Sequence, residues 1–393
     1  LKAQVLEFSG ERTEFNLPAG AQAFWTPAAQ KSYEKGPVEN WKSDGEIPLT
    51  IELPGRAWLC LAEAGLTNFS RMRLRAAGPD RLVTQLYGDV FETSPFGTPW
   101  RVVLVAARPG ELLEHNYLLL NLNPPNAIAD PKWIHPGKVM REVTLSTAGA
   151  KRLVDFAVEQ NIDYIHFDAG WYGYEYEVAS DATQVKVDPR RNPKGDLDLP
   201  EAIRYAKEKG RRVILYVNHR ALERQLDVIF PLYRSWGVDG VKFGFVHTGS
   251  HRWVTWVHEA VRKAAEHHLV VDIHDNYRPT GFSRTYPNLL QQEGIAGDET
   301  MPTATQSTIY PFTRFIAGAA DHTYCFLDKR LKKTKAHQLA LAAINFGPLQ
   351  YLHWYDRPEA YGDRGEIEFW KEMPTVWDDT RVLDGTPGEF ITV

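Results

Sequence analysis

The sequence predicts a (β/α)8 TIM barrel preceded by a β-sandwich, and three observations carry that prediction. Up to about Pro125 the chain is a series of short β-prone runs broken by Pro, Gly and Asn. After Pro136 it alternates strand and helix. The alternating part counts about eight strand-like runs over roughly 250 residues, which suits a closed barrel better than an open doubly wound sheet. The sandwich is assigned to residues 1–126, the barrel to 127–380, and 381–393 to the start of a further β domain, since Glu389-Phe390-Ile391-Thr392-Val393 is apolar and β-prone.

In the first part, Ile47-Pro48-Leu49-Thr50-Ile51-Glu52-Leu53, Ala57-Trp58-Leu59-Cys60-Leu61 and Trp100-Arg101-Val102-Val103-Leu104-Val105 are runs of strand length between turn residues, the pattern of an all-β sandwich. No helical period longer than two turns interrupts them. In the second part, Ala150, Leu153, Val154, Ala157 and Val158 keep helical spacing before a strand at 163–168. A helix over 200–209 stops at Gly210, where a left-handed residue ends helices. Strands follow at 212–217 and 239–245, then a helix stripe of Trp253, Val257, Ala260, Val261 and Ala264. Further strands are expected near 138–143, 269–273, 289–292, 321–326 and 348–352, with a late helix over 339–344. Strands separated by helices in this way lie parallel. No glycine-rich dinucleotide or phosphate-binding motif follows any strand.

Composition narrows the function. Lys+Arg number 45 against 50 Asp+Glu, a net charge of −5 that offers no grip on nucleic acid or an anionic membrane. Hydrophobic residues at 43% and charged residues at 24% describe a folded globular chain. No run reaches the roughly 20 apolar residues of a membrane-spanning helix. Cys60 and Cys325 are too few for a disulfide framework or a cysteine zinc site and read as buried small hydrophobes. Leu1-Lys2-Ala3-Gln4 has neither an initiator Met nor a signal-peptide layout, so a trimmed or processed form is expected.

In a barrel the chemistry gathers at the C-terminal strand ends. Here those ends carry Asp168 followed by Ala169-Gly170-Trp171-Tyr172-Gly173, then Asn218-His219-Arg220, Lys242-Phe243-Gly244, His274-Asp275, and Glu293 with Asp298-Glu299 beyond it. One Asp at a strand end is more often a cap or loop anchor; several polar tips together point to a site. Carboxylates flanked by Trp and Tyr are what glycoside hydrolysis requires, one to protonate the leaving oxygen and another to activate water or attack the sugar. His219, His247 and His274 lack any zinc-type spacing and read as hydrogen-bonding groups rather than metal ligands.

Arg278-Pro279-Thr280-Gly281-Phe282-Ser283-Arg284-Thr285-Tyr286-Pro287-Asn288-Leu289, preceded by His274-Asp275 and followed by Glu293 and Glu299, resembles glycoside hydrolase family 97. Trp133-Ile134-His135-Pro136-Gly137-Lys138 and Trp377-Asp378-Asp379-Thr380 resemble the segments leading into and out of that family's barrel. The resemblance implies a β-sandwich, a catalytic barrel and a C-terminal β domain, and activity on α-glucosides or α-galactosides. It also implies a periplasmic or secreted location and a Ca²⁺ cofactor. Glu63, in Leu61-Ala62-Glu63-Ala64, resembles the calcium ligand from the sandwich. Asp275, Glu293 and Glu299 fall at the barrel ligand positions, and Glu299 resembles the general acid.

The departures matter as much. Gly244 stands where the retaining branch has its Asp nucleophile. Asp275 matches one of the two water-holding bases of the inverting branch, but Arg220 falls at the other and cannot act as a base. Three readings stay open: an inverting enzyme in which Asp275, alone or with Asp168, positions water; a retaining enzyme whose nucleophile is Asp168 or another carboxylate near Trp171; and a barrel that only binds sugar. The first is favoured. It takes Glu299, Asp275 and Asp168 as catalytic, Trp171, Arg220, His274 and Lys242 as substrate-binding, and a glycoside or oligosaccharide as the partner.

Overall fold

A computed structural model describes residues 4–361 and 365–393. Its first part is antiparallel β throughout. Strands β1 (Val5–Phe8), β2 (Glu14–Asn16), β3 (Gln22–Trp25), β4 (Glu34–Gly36), β5 (Leu49–Leu53), β6 (Ala57–Ala64), β7 (Met72–Ala76), β8 (Arg81–Leu86), β9 (Val90–Thr93) and β10 (Trp100–Ala106) form three sheets, ordered β10-β6-β5-β3-β4, β2-β8-β7 and β1-β9. Alternation drives their packing: Leu49, Ile51 and Leu53 from β5 meet Leu74 and Leu82 from β7 and β8 in one core. Two short helices follow, α1 (Pro109–Glu114) and α2 (Tyr117–Asn121).

The second part is a nearly closed parallel barrel of seven strands. These are β11 (Gly137–Glu142), β12 (Tyr164–Phe167), β13 (Arg212–Asn218), β14 (Gly240–Gly244), β15 (Val270–Ile273), β16 (Leu289–Gln292) and β17 (Leu349–Tyr351), ordered β16-β15-β14-β13-β12-β11-β17. Helices α3 (Thr147–Glu159), α4 (Leu199–Glu208), α5 (His219–Trp236), α6 (His251–Glu266), α7 (Ala304–Ile309), α8 (Lys335–Ile344) and α9 (Glu368–Glu372) complete it. Local chemistry sets the helix starts: the Ser146 side chain accepts from Gly149 N at α3, and that of Asp198 from Glu201 N at α4, where Pro200 fits the first turn.

Two expectations need correction. The run 321–326 is not a strand. Thr323 lies at φ 50°, in the left-handed region, and the run touches β17 only through Tyr324 N donating to Tyr351 O and Trp354 N to Tyr324 O. A strand of side-chain period two cannot continue through such a residue. Helix α5 was not anticipated, so Arg220 sits in its first turn, where Asn218 caps it by accepting from Arg220 N at 3.1 Å. Residues 381–393, expected to begin another domain, form a hairpin of β18 (Asp384–Thr386) and β19 (Phe390–Thr392). Val382 and Ile391 from this segment pack with Phe24, Leu113 and Phe312.

Arg278 stitches barrel to sandwich, and Arg314 grips the same barrel backbone. Arg278 is buried and donates to Gly294 O at 2.9 Å, to Ile47 O at 3.1 Å and to Ala29 O at 3.1 Å. Arg314, fully buried, donates to Gln292 O at 2.6 Å, Glu293 O at 2.9 Å and Gly294 O at 3.0 Å. Buried carbonyls left without donors cost about 1–3 kcal/mol each. Replacement of Arg314 by Leu is therefore expected to lower the unfolding free energy by about 3 kcal/mol or more in urea titration; an unchanged midpoint would contradict this role.

Candidate active site

Alternate residues of the barrel strands point inward. Register pairs Arg141 with His166, Lys242 with Asp272 and Asn218 with Gly244, so the tips of β11 to β15 meet over one floor. That floor is ionic. Lys242 Nζ lies 2.5 Å from Asp321 and 3.2 Å from Asp272, beneath the Tyr351 and Trp354 rings. Burial works against the charge of Lys242, yet Asp321 and Asp272 hold its pKa well above the ordinary lysine value. One cation does not balance two carboxylates, and burial pushes Asp272 up to about 8.

Above the floor, carboxylates crowd around one imidazole. His274 Nδ1 is 2.7 Å from Glu293 and Nε2 is 3.6 Å from Glu299. Burial opposes a charge on His274, but Glu293 keeps its pKa well above the ordinary histidine value. Burial, with Glu299 and Asp321 nearby, lifts Glu293 to about 7 even against His274. Glu299 Oε1 accepts from Trp354 Nε1 at 2.8 Å and from Tyr355 OH at 3.1 Å, which leaves Oε2 facing His274. Asp275, at φ 67°, accepts from Phe245 N at 2.5 Å, and its own N–H donates to Glu293. Gly294 turns the chain between these acids at φ 47°; a Cβ there would stand 2.4 Å from Tyr277 O, so only glycine fits.

His274, Asp275 and Glu293 place ligand atoms within 4.8 Å of one another. With Glu299 beside them, this set suits a hard divalent ion, which favours several carboxylate oxygens. Glu63 stands apart. Its Oε2 accepts from Arg101 at 2.7 Å and from Met72 N at 3.3 Å, and Oε1 lies 3.7 Å from Arg71 Nε with no hydrogen bond of its own. Glu63 is thus held by two guanidiniums and one backbone N–H of the sandwich.

Asp168 is engaged as well. Arg141 Nε lies 2.9 Å from one of its oxygens and His166 Nε2 3.4 Å from the other. Burial alone would raise its pKa, but Arg141 holds it well below the ordinary carboxylate range. Arg141 in turn lies over the rings of Trp354 and Tyr355, the two residues that brace Glu299. Asp168 thus orients the support of the acid.

Gly244, the position where a retaining nucleophile was expected, is crowded by the Tyr216 ring. A Cβ on Gly244 would fall 2.1 Å from the Tyr216 phenol, so no side chain fits there while Tyr216 holds its place. Beside these strands a cleft of about 620 Å³ is lined by Tyr176, Arg220, Phe245, Trp253 and Asp275, among others. Its size suits a small sugar. Another groove of about 420 Å³ opens by Leu289 and Pro348, at the opposite strand ends, and includes none of the strand-tip acids.

Of the expected sugar contacts, Arg220 lines the cleft and His274 links the acids. Trp171 and Lys242 are corrected. Trp171 is fully buried among Tyr172, Tyr233 and Trp236 and donates Nε1–H to Tyr216 O, so its ring cannot stack on a sugar. Lys242 is equally buried in the floor. Sequence reasoning missed Arg141, Glu175, Tyr176, Trp354 and Tyr355. Tyr176 alone left a signal, lying eight positions past Asp168 in a loop at a strand tip.

Fold and strand-tip acids together define a barrel of the carbohydrate-acting kind. Residues 132–295 match the family described as Glycoside hydrolase 97, and residues 2–125 match Glycosyl-hydrolase 97 N-terminal. The chain belongs to glycoside hydrolase family 97. It is 28% identical to a retaining alpha-galactosidase of Bacteroides thetaiotaomicron, over 88% of this chain and 59% of the relative. It is also 28% identical to a probable retaining alpha-galactosidase of Streptomyces bingchenggensis, over 97% of this chain and 61% of the relative. The chain therefore spans about 60% of the length of these curated relatives. A family 97 enzyme from a Pseudoalteromonas species, solved with acarbose, superposes with a TM-score of 0.89 at 24% identity, over 98% of this chain and 67% of that one. A beta-arabinopyranosidase superposes with a TM-score of 0.82 at 19% identity, over 98% and 69%.

Because the folded pKa of Asp168 is depressed, the Asp168–Arg141 pair contributes stability above the unfolded carboxylate value of about 3.9 and loses it as pH falls below that value. Substitution of Asp168 by Asn is expected to cost about 3–5 kcal/mol at pH 7, with the deficit shrinking below about pH 4. Thermal unfolding across pH checks this; a deficit independent of pH would contradict it.

Proposed function

We propose that the chain hydrolyses α-linked glycosides of the galactoside or glucoside type with inversion, Glu299 being the general acid and Asp275 the carboxylate on the water side. What carries this reading is the arrangement of Glu299, held by Trp354 and Tyr355, beside the His274–Glu293–Asp275 cluster at the strand tips. Protonation of the leaving oxygen needs a carboxyl group with a fixed orientation and one free oxygen, and Glu299 has both. Gly244 and Tyr216 support inversion, since the strand that would carry a nucleophile has no room for one. The curated relatives are named a retaining and a probable retaining alpha-galactosidase, so the inversion proposed here would set this chain apart from them. Arg220 and Tyr176 at the cleft supply a guanidinium and an aromatic face for the sugar. A location outside the cytoplasm is part of the same proposal.

Asp275 and Glu293, the carboxylates that cluster with His274, are the residues that would hold calcium beside Glu299, and the ion would offset their mutual repulsion. Added calcium is then expected to raise the melting temperature and excess chelator to lower it; a melting temperature indifferent to both would remove calcium from the proposal.

The test of the reaction is proton NMR of the sugar first released from aryl α-glycosides. Release of the β-anomer is expected. Initial release of the α-anomer would establish retention, and binding without release would establish a sugar-binding barrel instead. Glu299→Gln is expected to lower turnover of substrates with poor leaving groups by about 10²–10⁴-fold, with a smaller loss for activated aryl glycosides.

A further inference from the structure

Inversion needs carboxylate help to hold and deprotonate water, and the tip of β13 itself presents Asn218 and Arg220, neither of which can take that proton. The structure brings a carboxylate to that tip from another element. Glu175 lies in the loop after β12, is buried, and accepts from Asn218 Nδ2 at 3.2 Å. Asn218 also donates its backbone N–H to Tyr172 OH and caps α5 by accepting from Arg220 N, so the amide that meets Glu175 is fixed in place. Tyr216, whose phenol occupies the space over Gly244, borders the same carboxylate. Tyr176, the next residue in the loop, lines the cleft with Asp275 and Arg220. A buried acid held by the Asn218 amide and bordered by the Tyr216 phenol, in a loop whose next residue lines the sugar cleft, sits beside the water side of the site.

We propose that Glu175 is the second water-side carboxylate, delivered to the tip of β13 by the loop after β12 and acting with Asp275. In the step, the water oxygen forms a bond to the anomeric carbon while its proton passes to the pair. The glycosidic C–O bond breaks, and the leaving oxygen takes the proton of Glu299. Burial raises the Glu175 pKa, as suits a proton acceptor. The proposal rests on the glycosidase reading above and adds a residue to it.

The test compares Glu175→Gln, Glu175→Ala and wild type on an activated aryl α-glycoside, with melting temperatures measured in parallel. Glu175→Gln is expected to lower kcat by about 10²–10⁴-fold with KM little changed. Sodium azide is expected to restore turnover by Glu175→Ala and to yield a β-configured glycosyl azide, which a bracing role for Glu175 would not produce. Near wild-type kcat in Glu175→Gln overturns the proposal, as does a loss that follows melting temperature without azide rescue. Wild type that releases no sugar refutes the glycosidase reading itself, and the Glu175 role with it. Active wild type with indifferent Glu175 variants refutes the role alone.

Discussion

The arrangement depends on two guanidiniums placed where no water reaches them. Arg278 and Arg314 spend their donors on backbone carbonyls of residues 292–294 and, through Arg278, on Ala29 and Ile47 of the sandwich. The backbone they grip is the segment that carries Glu293 and leads to Glu299. A barrel strand ending in a free loop would leave those acids mobile. Here the loop is tied to a second domain by charge-assisted bonds, each stronger than a neutral one. The sandwich thus reaches the backbone that carries the acids.

A second constraint lies beneath. Asp298 is buried and engages His322, Lys333 and Gln338, which fixes the turn from which Glu299 projects. The Lys242–Asp321–Asp272 group fixes the rings of Tyr351 and Trp354 from below, and Arg141 covers Trp354 and Tyr355 from β11. Glu299 receives its two hydrogen bonds from side chains that are themselves packed between cations. Pre-organisation of this sort keeps an acid in one orientation through the reaction.

Much of this was legible in the sequence where a local rule governed. The barrel strands at 212–217 and 269–273, the helix ended by Gly210, and the acids Asp275, Glu293 and Glu299 follow from periodicity, turn chemistry and the strand-tip rule. The strand expected at 321–326 failed because its apolar pattern hid the left-handed Thr323. Helix α5 was missed because Pro231 and scattered charges break its pattern. Trp171 looked like a sugar platform because an aromatic after a strand-end Asp has that appearance; only packing reveals that its indole faces Tyr216 O. Glu175 falls under the expectation of a carboxylate near Trp171, but its place at the tip of β13 could not be read from the sequence. Its meaning comes from Asn218, forty-three positions away, and no spacing rule connects a loop acid to another strand's tip.

The central claim is that Glu299 and the Asp275 side flank a water-filled gap, with no nucleophile under the anomeric carbon. A crystal structure with a galactose-type iminosugar measures this directly. The account predicts the sugar in the Arg220–Tyr176 cleft, its anomeric position between Glu299 and Asp275, and carboxyl groups about 6.5–9.5 Å apart with a water between them. A carboxylate about 5–5.5 Å from Glu299 and in line with the anomeric carbon, or a sugar seated at the opposite end of the barrel, would contradict it.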